Sequence, residues 1–142
     1  MEASKITGIF VSVHGVGPKY ALRRKVGPFH EQYDVYRPWD KIDIVRELVK
    51  LLDVEFEDFL ENFATVDDKH FRESSHRSRH YISADLASLY PGKNDDFRQK
   101  YSFSYKGYWI GTNVGAKEIV QYVREMAEAC DVTFSFWSDL KL

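Results

Sequence analysis

Cysteine occurs once, at Cys130, so no internal disulfide can staple the fold, and a disulfide-built secreted scaffold is excluded. Long apolar runs are missing: the longest are a few residues, against the ~20 needed to cross a bilayer as a helix. Neither sign of charge is in real excess. Twenty Lys and Arg face 22 Asp and Glu, for a net charge of −2 and a pI near 6.2, so no global field drives the chain onto nucleic acid or an anionic membrane. The opening Met-Glu-Ala-Ser-Lys has neither the basic region nor the apolar core of a secretory signal, which makes the cytoplasm the expected compartment. No internal repeat or low-complexity tract is found.

Familiar catalytic motifs are missing too. There is no Gly-x-Ser-x-Gly elbow, and Cys130 falls on the apolar side of a predicted helix, where an inert thiol is expected. His14-Gly15-Val16-Gly17-Pro18-Lys19 resembles a phosphate-cradling loop only superficially: no Gly-Lys-Ser/Thr follows it, and the next segment reads as strand, so a Gly-Pro turn is the better account. His76 and His80 are four apart, but no apolar stripe supports a helix there, and a third ligand would have to come from Asp67, Asp68 or a distant residue, without a Cys or a His-x-x-Glu-His pattern. No metal and no cofactor is expected.

What is present is a globular balance, with 44% apolar and 30% charged residues, rich in aromatics (ten Phe, nine Tyr, three Trp). The length suits one domain spanning 1–142. Period-two alternation predicts a strand from Ile6 to Val13, with Ile9, Val11 and Val13 on one side, then strands over 20–26 and 32–36 separated by Gly27-Pro28. Asp40 is placed to cap a helix in which Ile42, Val45, Leu48, Val49, Leu52, Phe56, Phe59, Leu60 and Phe63 all fall within one third of the circumference. One long helix over about 41–63 is expected, with a kink near Asp53 allowed. From Thr65 to His80 the apolar pattern vanishes, predicting a polar, mobile connection. Ser83 is placed to cap a short helix through Leu89. Tyr101, Phe103 and Tyr105 alternate with polar residues and turn at Lys106-Gly107 into Tyr108-Trp109-Ile110, a hairpin; a second amphipathic helix over 116–130 and a strand over 133–137 follow. The expected class is α+β: a mostly antiparallel sheet of about five to six strands, with one long and one or two shorter amphipathic helices packed on it.

Three functional patterns stand out. Five carboxylates in nine residues (Asp53, Glu55, Glu57, Asp58, Glu61) lie opposite the apolar stripe of the long helix, with Ile44, Leu51 and Val54 on the flank, outside the core stripe. Such a face suits a basic macromolecular partner, most simply another protein, and gives the leading expectation: a binding or inhibitor protein of the immunity, antitoxin or phage-inhibitor kind, acting by occlusion, with Glu55, Glu57, Asp58, Glu61, Leu51 and Val54 in contact. The second pattern gathers His70, His76 and His80 with Arg72, Arg77 and Arg79. Imidazoles can exchange protons with a ribose hydroxyl and a leaving oxygen while guanidinium steadies phosphate, so His76 and His80 with Arg77 and Arg79 form the alternative, a metal-independent phosphodiester-cleaving site. A solvated loop, neutralised by Asp67, Asp68 and Glu73, is the plain reading of the same segment. The third pattern interleaves Arg23, Arg24 and Lys25 with Tyr20, Phe29, Tyr33 and Tyr36, a combination that can hold a nucleotide or single-stranded nucleic acid, though rings at strand spacing serve equally as core.

Overall fold

A computed structural model describes residues 5–13, 17–74, 77 and 79–139. Among these residues the chain forms β1 (Ile6–Ser12), β2 (Lys19–Lys25), β3 (Glu31–Tyr36), α1 (Ile42–Glu55), α2 (Phe59–Glu73), β4 (Ile82–Ser83), α3 (Asp95–Lys100), β5 (Ser102–Tyr105), β6 (Tyr108–Gly111), α4 (Ala116–Cys130) and β7 (Thr133–Phe136). The class is α+β, as the patterning implies, but the seven strands divide between two sheets, ordered β3-β2-β1-β7 and β4-β6-β5. All pairings are antiparallel except β1 with β7, which run parallel. No helix among the described residues is long and apolar enough to cross a membrane.

Alternation in the first strands sets the layers. Ile6, Ile9 and Val11 of β1 and Tyr20 and Leu22 of β2 turn inward to one cluster with Val45, Leu48 and Leu52 of α1 and Ile119, Val123 and Met126 of α4. On α1 the Tyr20 hydroxyl donates to Glu47 Oε1 at 2.7 Å, and Arg24 pairs with Glu55. The α4 helix touches both sheets. It packs on β1 and β7, while the wholly buried Tyr122 hydroxyl reaches the carbonyls of Tyr81 (3.0 Å) and Gly111 (2.6 Å) beside β4 and β6.

Four expectations are corrected. The apolar stripe does not run along one helix over 41–63: the chain breaks at Phe56–Asp58, where Phe56 is extended and Asp58 takes a left-handed conformation (φ 59°). The break lets α1 and α2 both face the core, with Phe59 stacked on Phe63 at 5.7 Å. Ile44, expected on the flank, is wholly buried. The polar segment after Thr65 is not a loop throughout, because α2 continues to Glu73. Its inward stripe runs on through Phe59, Phe63 and then Asp67, a carboxylate where a methyl group would have signalled helix. Finally, Ser83 belongs to β4; Asp85 caps a 3₁₀ turn, Leu86–Ser88, by accepting from the Ala87 N–H. Asp40 does meet the first turn of α1, accepting from the Ile42 N–H at 3.3 Å.

Tyr122→Phe removes the donor that both carbonyls share and leaves that of Gly111 buried. Chemical denaturation is expected to show a loss of about 1–2 kcal/mol. Asp58→Val forces a β-branched residue into the left-handed region and is expected to cost roughly 1–2 kcal/mol by the same measurement, whereas Asp58→Asn is tolerated.

Candidate functional site

Two carboxylates among the described residues are wholly buried, Asp67 on α2 and Glu125 on α4, and one guanidinium sits between them. Arg77 donates through Nη2 to Asp67 and through Nη1 to Glu125 Oε2 (2.8 Å), through Nε to the Arg79 carbonyl (3.2 Å), and lies 3.7 Å over the Tyr81 ring. Asp67 also accepts from the Tyr81 backbone N–H at 2.9 Å and lies 3.0 Å from His80 Nδ1. An ionised carboxylate can only accept, so that contact puts the His80 proton on Nδ1 and leaves Nε2 as the basic nitrogen. Burial lowers the His80 pKa below the ordinary imidazole value and favours the neutral ring, which stacks on Phe71 at 4.1 Å. Burial raises the Glu125 carboxyl, against the pull of Arg77 and Gln121, and its Oε1 has no hydrogen-bond partner.

A cleft of about 550 Å³ opens over this network, lined by His70, Ser74, Arg77, Arg79, Tyr81 and Gln121, with Glu118 on its wall. Arg79 is committed as well: it pairs with Glu118 at 2.9 Å, donates to the Asn113 carbonyl and lies over Tyr90. His70 faces Glu128 at 3.3 Å, and Glu128 also receives Lys69 at 2.8 Å. Among the described residues, each basic side chain lining the cleft therefore has a carboxylate within reach, which leaves little free positive field for a phosphate. Of the sequence-derived catalytic set, Arg77, Arg79 and His80 are gathered here, and His76 lies outside the described residues. The clustered guanidinia were visible in the chain; their carboxylate partners Glu118 and Glu125 were not, since both sit inside an ordinary amphipathic helix. Among the described residues no three His, Cys, Asp or Glu side chains assemble as a metal-ligand group.

The acidic arc is split by the helix break. Asp53 is tied to Lys106 (2.6 Å) and the Tyr105 hydroxyl (3.0 Å), and Glu55 to Arg24, so both are spent inside the fold. Leu51 packs on the core. Val54 is 78% exposed, and Glu57, Asp58 and Glu61 project at the α1–α2 corner with no cation paired to them among the described residues. The basic run divides by strand parity: Arg24 points inward to Asp34 and Glu55, while Arg23 and Lys25 lie on the sheet face away from the helices.

Compared with protein-family models, curated proteins and solved structures, the chain finds no match in any of the three.

Arg77→Met strands two buried carboxylates and is expected to destabilise by about 3–5 kcal/mol, with Arg77→Met/Asp67→Asn/Glu125→Gln recovering part of the loss in denaturant titration. Because folding raises the Glu125 pKa, its contribution is full below the unfolded value and is lost as pH rises through the folded one. Glu125→Gln should flatten that limb of the stability–pH curve, and an unchanged limb would show that Glu125 titrates normally.

Proposed function

We propose that this is a small binding protein that acts by occluding a basic macromolecular partner, of the immunity, antitoxin or inhibitor kind, with the α1–α2 corner as its contact surface. The supporting observation is the contrast in compensation. Carboxylates at Asp34, Asp53, Glu55, Asp67 and Glu118 all meet cations, whereas Glu57, Asp58 and Glu61, close in the chain to the exposed apolar Val54, stand exposed with no cation paired to them among the described residues. Unmatched surface charge steers encounter and raises the association rate more than the intrinsic affinity, while an exposed aliphatic side chain in its midst supplies contact area that excludes water. Asp58 is held at the corner by its own backbone, whose carbonyl accepts from the Asn62 N–H at 2.9 Å, so its carboxylate is presented on a fixed hinge rather than a loose loop. A reducing compartment, the cytoplasm, belongs to the same reading: the lone thiol is pushed up to about 12 by burial and is chemically quiet.

A second reading rests on the Asp67–His80 pair, whose geometry is that of a carboxylate orienting a neutral imidazole for general-base work on a phosphodiester. It is weaker because Arg77 and Arg79 are already neutralised. RNA cleavage lost in His80→Ala would favour it over binding alone.

The corner is tested with Glu57→Lys/Asp58→Asn/Glu61→Lys against the protein that co-purifies from the native cell. Surface-plasmon kinetics are expected to show association slowed by about tenfold or more at low salt, converging with the parent at high salt, and dissociation little changed. Equal association rates at low salt would remove the reading.

A further inference from the structure

The face of the four-stranded sheet that points away from the helices carries a row of cations, and the binding reading above does not use it. Along β2 the outward residues are Lys19, Ala21, Arg23 and Lys25, since Tyr20 and Arg24 between them bond to α1. Ala21 is wholly buried and Lys19 lies over the Trp137 ring at 4.8 Å, which leaves Arg23 and Lys25, roughly 7 Å apart along the strand, as the presented cations. Arg23 is its fixed point. Its guanidinium lies across β1, donating to Thr7 Oγ1 (2.9 Å), the Thr7 carbonyl (3.2 Å) and Thr133 Oγ1 (3.0 Å). It comes so close over Gly8 that a β-carbon there would meet Arg23 Nη2 at 3.1 Å and Thr133 Oγ1 at 2.8 Å. All three acceptors are neutral, so Arg23 is oriented without being discharged, unlike Arg24, Arg77 and Arg79.

At the Lys25 end the row opens into two adjoining hollows. One, of about 380 Å³, is lined by Lys5, Thr7, Lys25 and Val26; the other, of about 500 Å³, by Lys25, Pro28, Phe29, His30 and Glu31. Lys5 and Lys25 are neighbours, joined by the Lys25 N–H to Lys5 carbonyl bond of 2.9 Å, and neither makes an ion pair among the described residues. Glu31 stands opposite Lys25 in the β2–β3 register and makes no ion pair with it. Phe29 stands at the rim, 92% exposed, an aromatic ring that contributes nothing to the core.

We propose that this outer face binds single-stranded nucleic acid, with Lys5, Arg23 and Lys25 on successive phosphates and Phe29 stacked on a base. Cations alone would suit any polyanion. The exposed ring beside them selects a ligand whose charges alternate with accessible flat apolar faces, which a single strand presents and a base-paired duplex does not.

Fluorescence anisotropy with 5′-fluorescein 15-mers of oligothymidylate and oligouridylate, read over a salt series, tests this. Three phosphate contacts predict a slope of log K against log [salt] of about −2 for a single strand, and Arg23→Gln should shallow it by about 0.7. Phe29→Ala should weaken binding by about fivefold or more at every salt concentration and leave the slope unchanged. Circular dichroism on each variant checks that the fold is kept, and Glu57→Lys/Glu61→Lys, on the helix layer, separates this face from the proposed protein-binding corner. No binding to either oligonucleotide at low salt overturns the proposal. So does binding that survives Lys5→Gln/Arg23→Gln/Lys25→Gln, or equal affinity for phosphatidylglycerol vesicles with no effect of Phe29→Ala, which would mark a surface for anionic membranes instead.

Discussion

The paired contact of Arg77 with Asp67 and Glu125 is the interaction on which the rest of the structure depends. It joins α2, the segment leading to β4 and α4, between which no backbone hydrogen bond is found among the described residues. Burying two carboxylates is unfavourable unless each lone pair is met, and here the guanidinium, the Tyr81 amide, the Gln121 amide and His80 meet all but Glu125 Oε1. Hydrophobic contact alone would let α2 and α4 slide against each other; a planar fork fixed on two carboxylates sets their register. From that register follow the position of Tyr81 over Tyr122, with rings stacked at 4.0 Å, and the attachment of the smaller sheet.

The same contact explains what could be read from the chain and what could not. Strand alternation located β1, β2, β3, β5 and β6 to within a residue or two, and the stripe from Ile119 to Cys130 located α4, because in those elements burial and polarity coincide. Where they part, the reading failed. Asp67 occupies an inward position of α2 as a charged residue, so the apolar stripe in the sequence stops at Phe63, and its partner is ten residues away in a segment without periodicity. The break at Phe56–Asp58 was hidden for the opposite reason: both helices keep their apolar residues in phase, and no glycine or proline marks the left-handed Asp58. The short α3 carries its capping Asn94, whose side chain accepts from the Phe97 N–H, but six residues are too few to show a helical period.

Surface charge follows a division of labour that composition could not reveal. The near-zero net charge combines local ion pairs with charged side chains that make none among the described residues, including two groups of opposite sign, Glu57, Asp58 and Glu61 at the helix corner and Lys5, Arg23 and Lys25 on the outer sheet face. Arg24, bridging Asp34 and Glu55, lies between them and keeps the two apart, inward on the strand whose outward neighbours are Arg23 and Lys25. The sequence run Arg23-Arg24-Lys25 is thus one structural strut flanked by two presented cations.

The parallel pairing of β1 with β7 carries a kinetic meaning. Thr7 and Thr133, bonded across that seam at 3.2 Å, are 126 residues apart, so one of the two interior strands of the larger sheet keeps an open flank until the segment carrying β7 has left the ribosome. The entropy of closing so large a ring rises only logarithmically with its length, but it must be met before the seam returns any bonding energy. Synthesis order therefore makes the seam a late event, and until it closes a nascent molecule shows an unsatisfied β1 edge to its neighbours on the polysome.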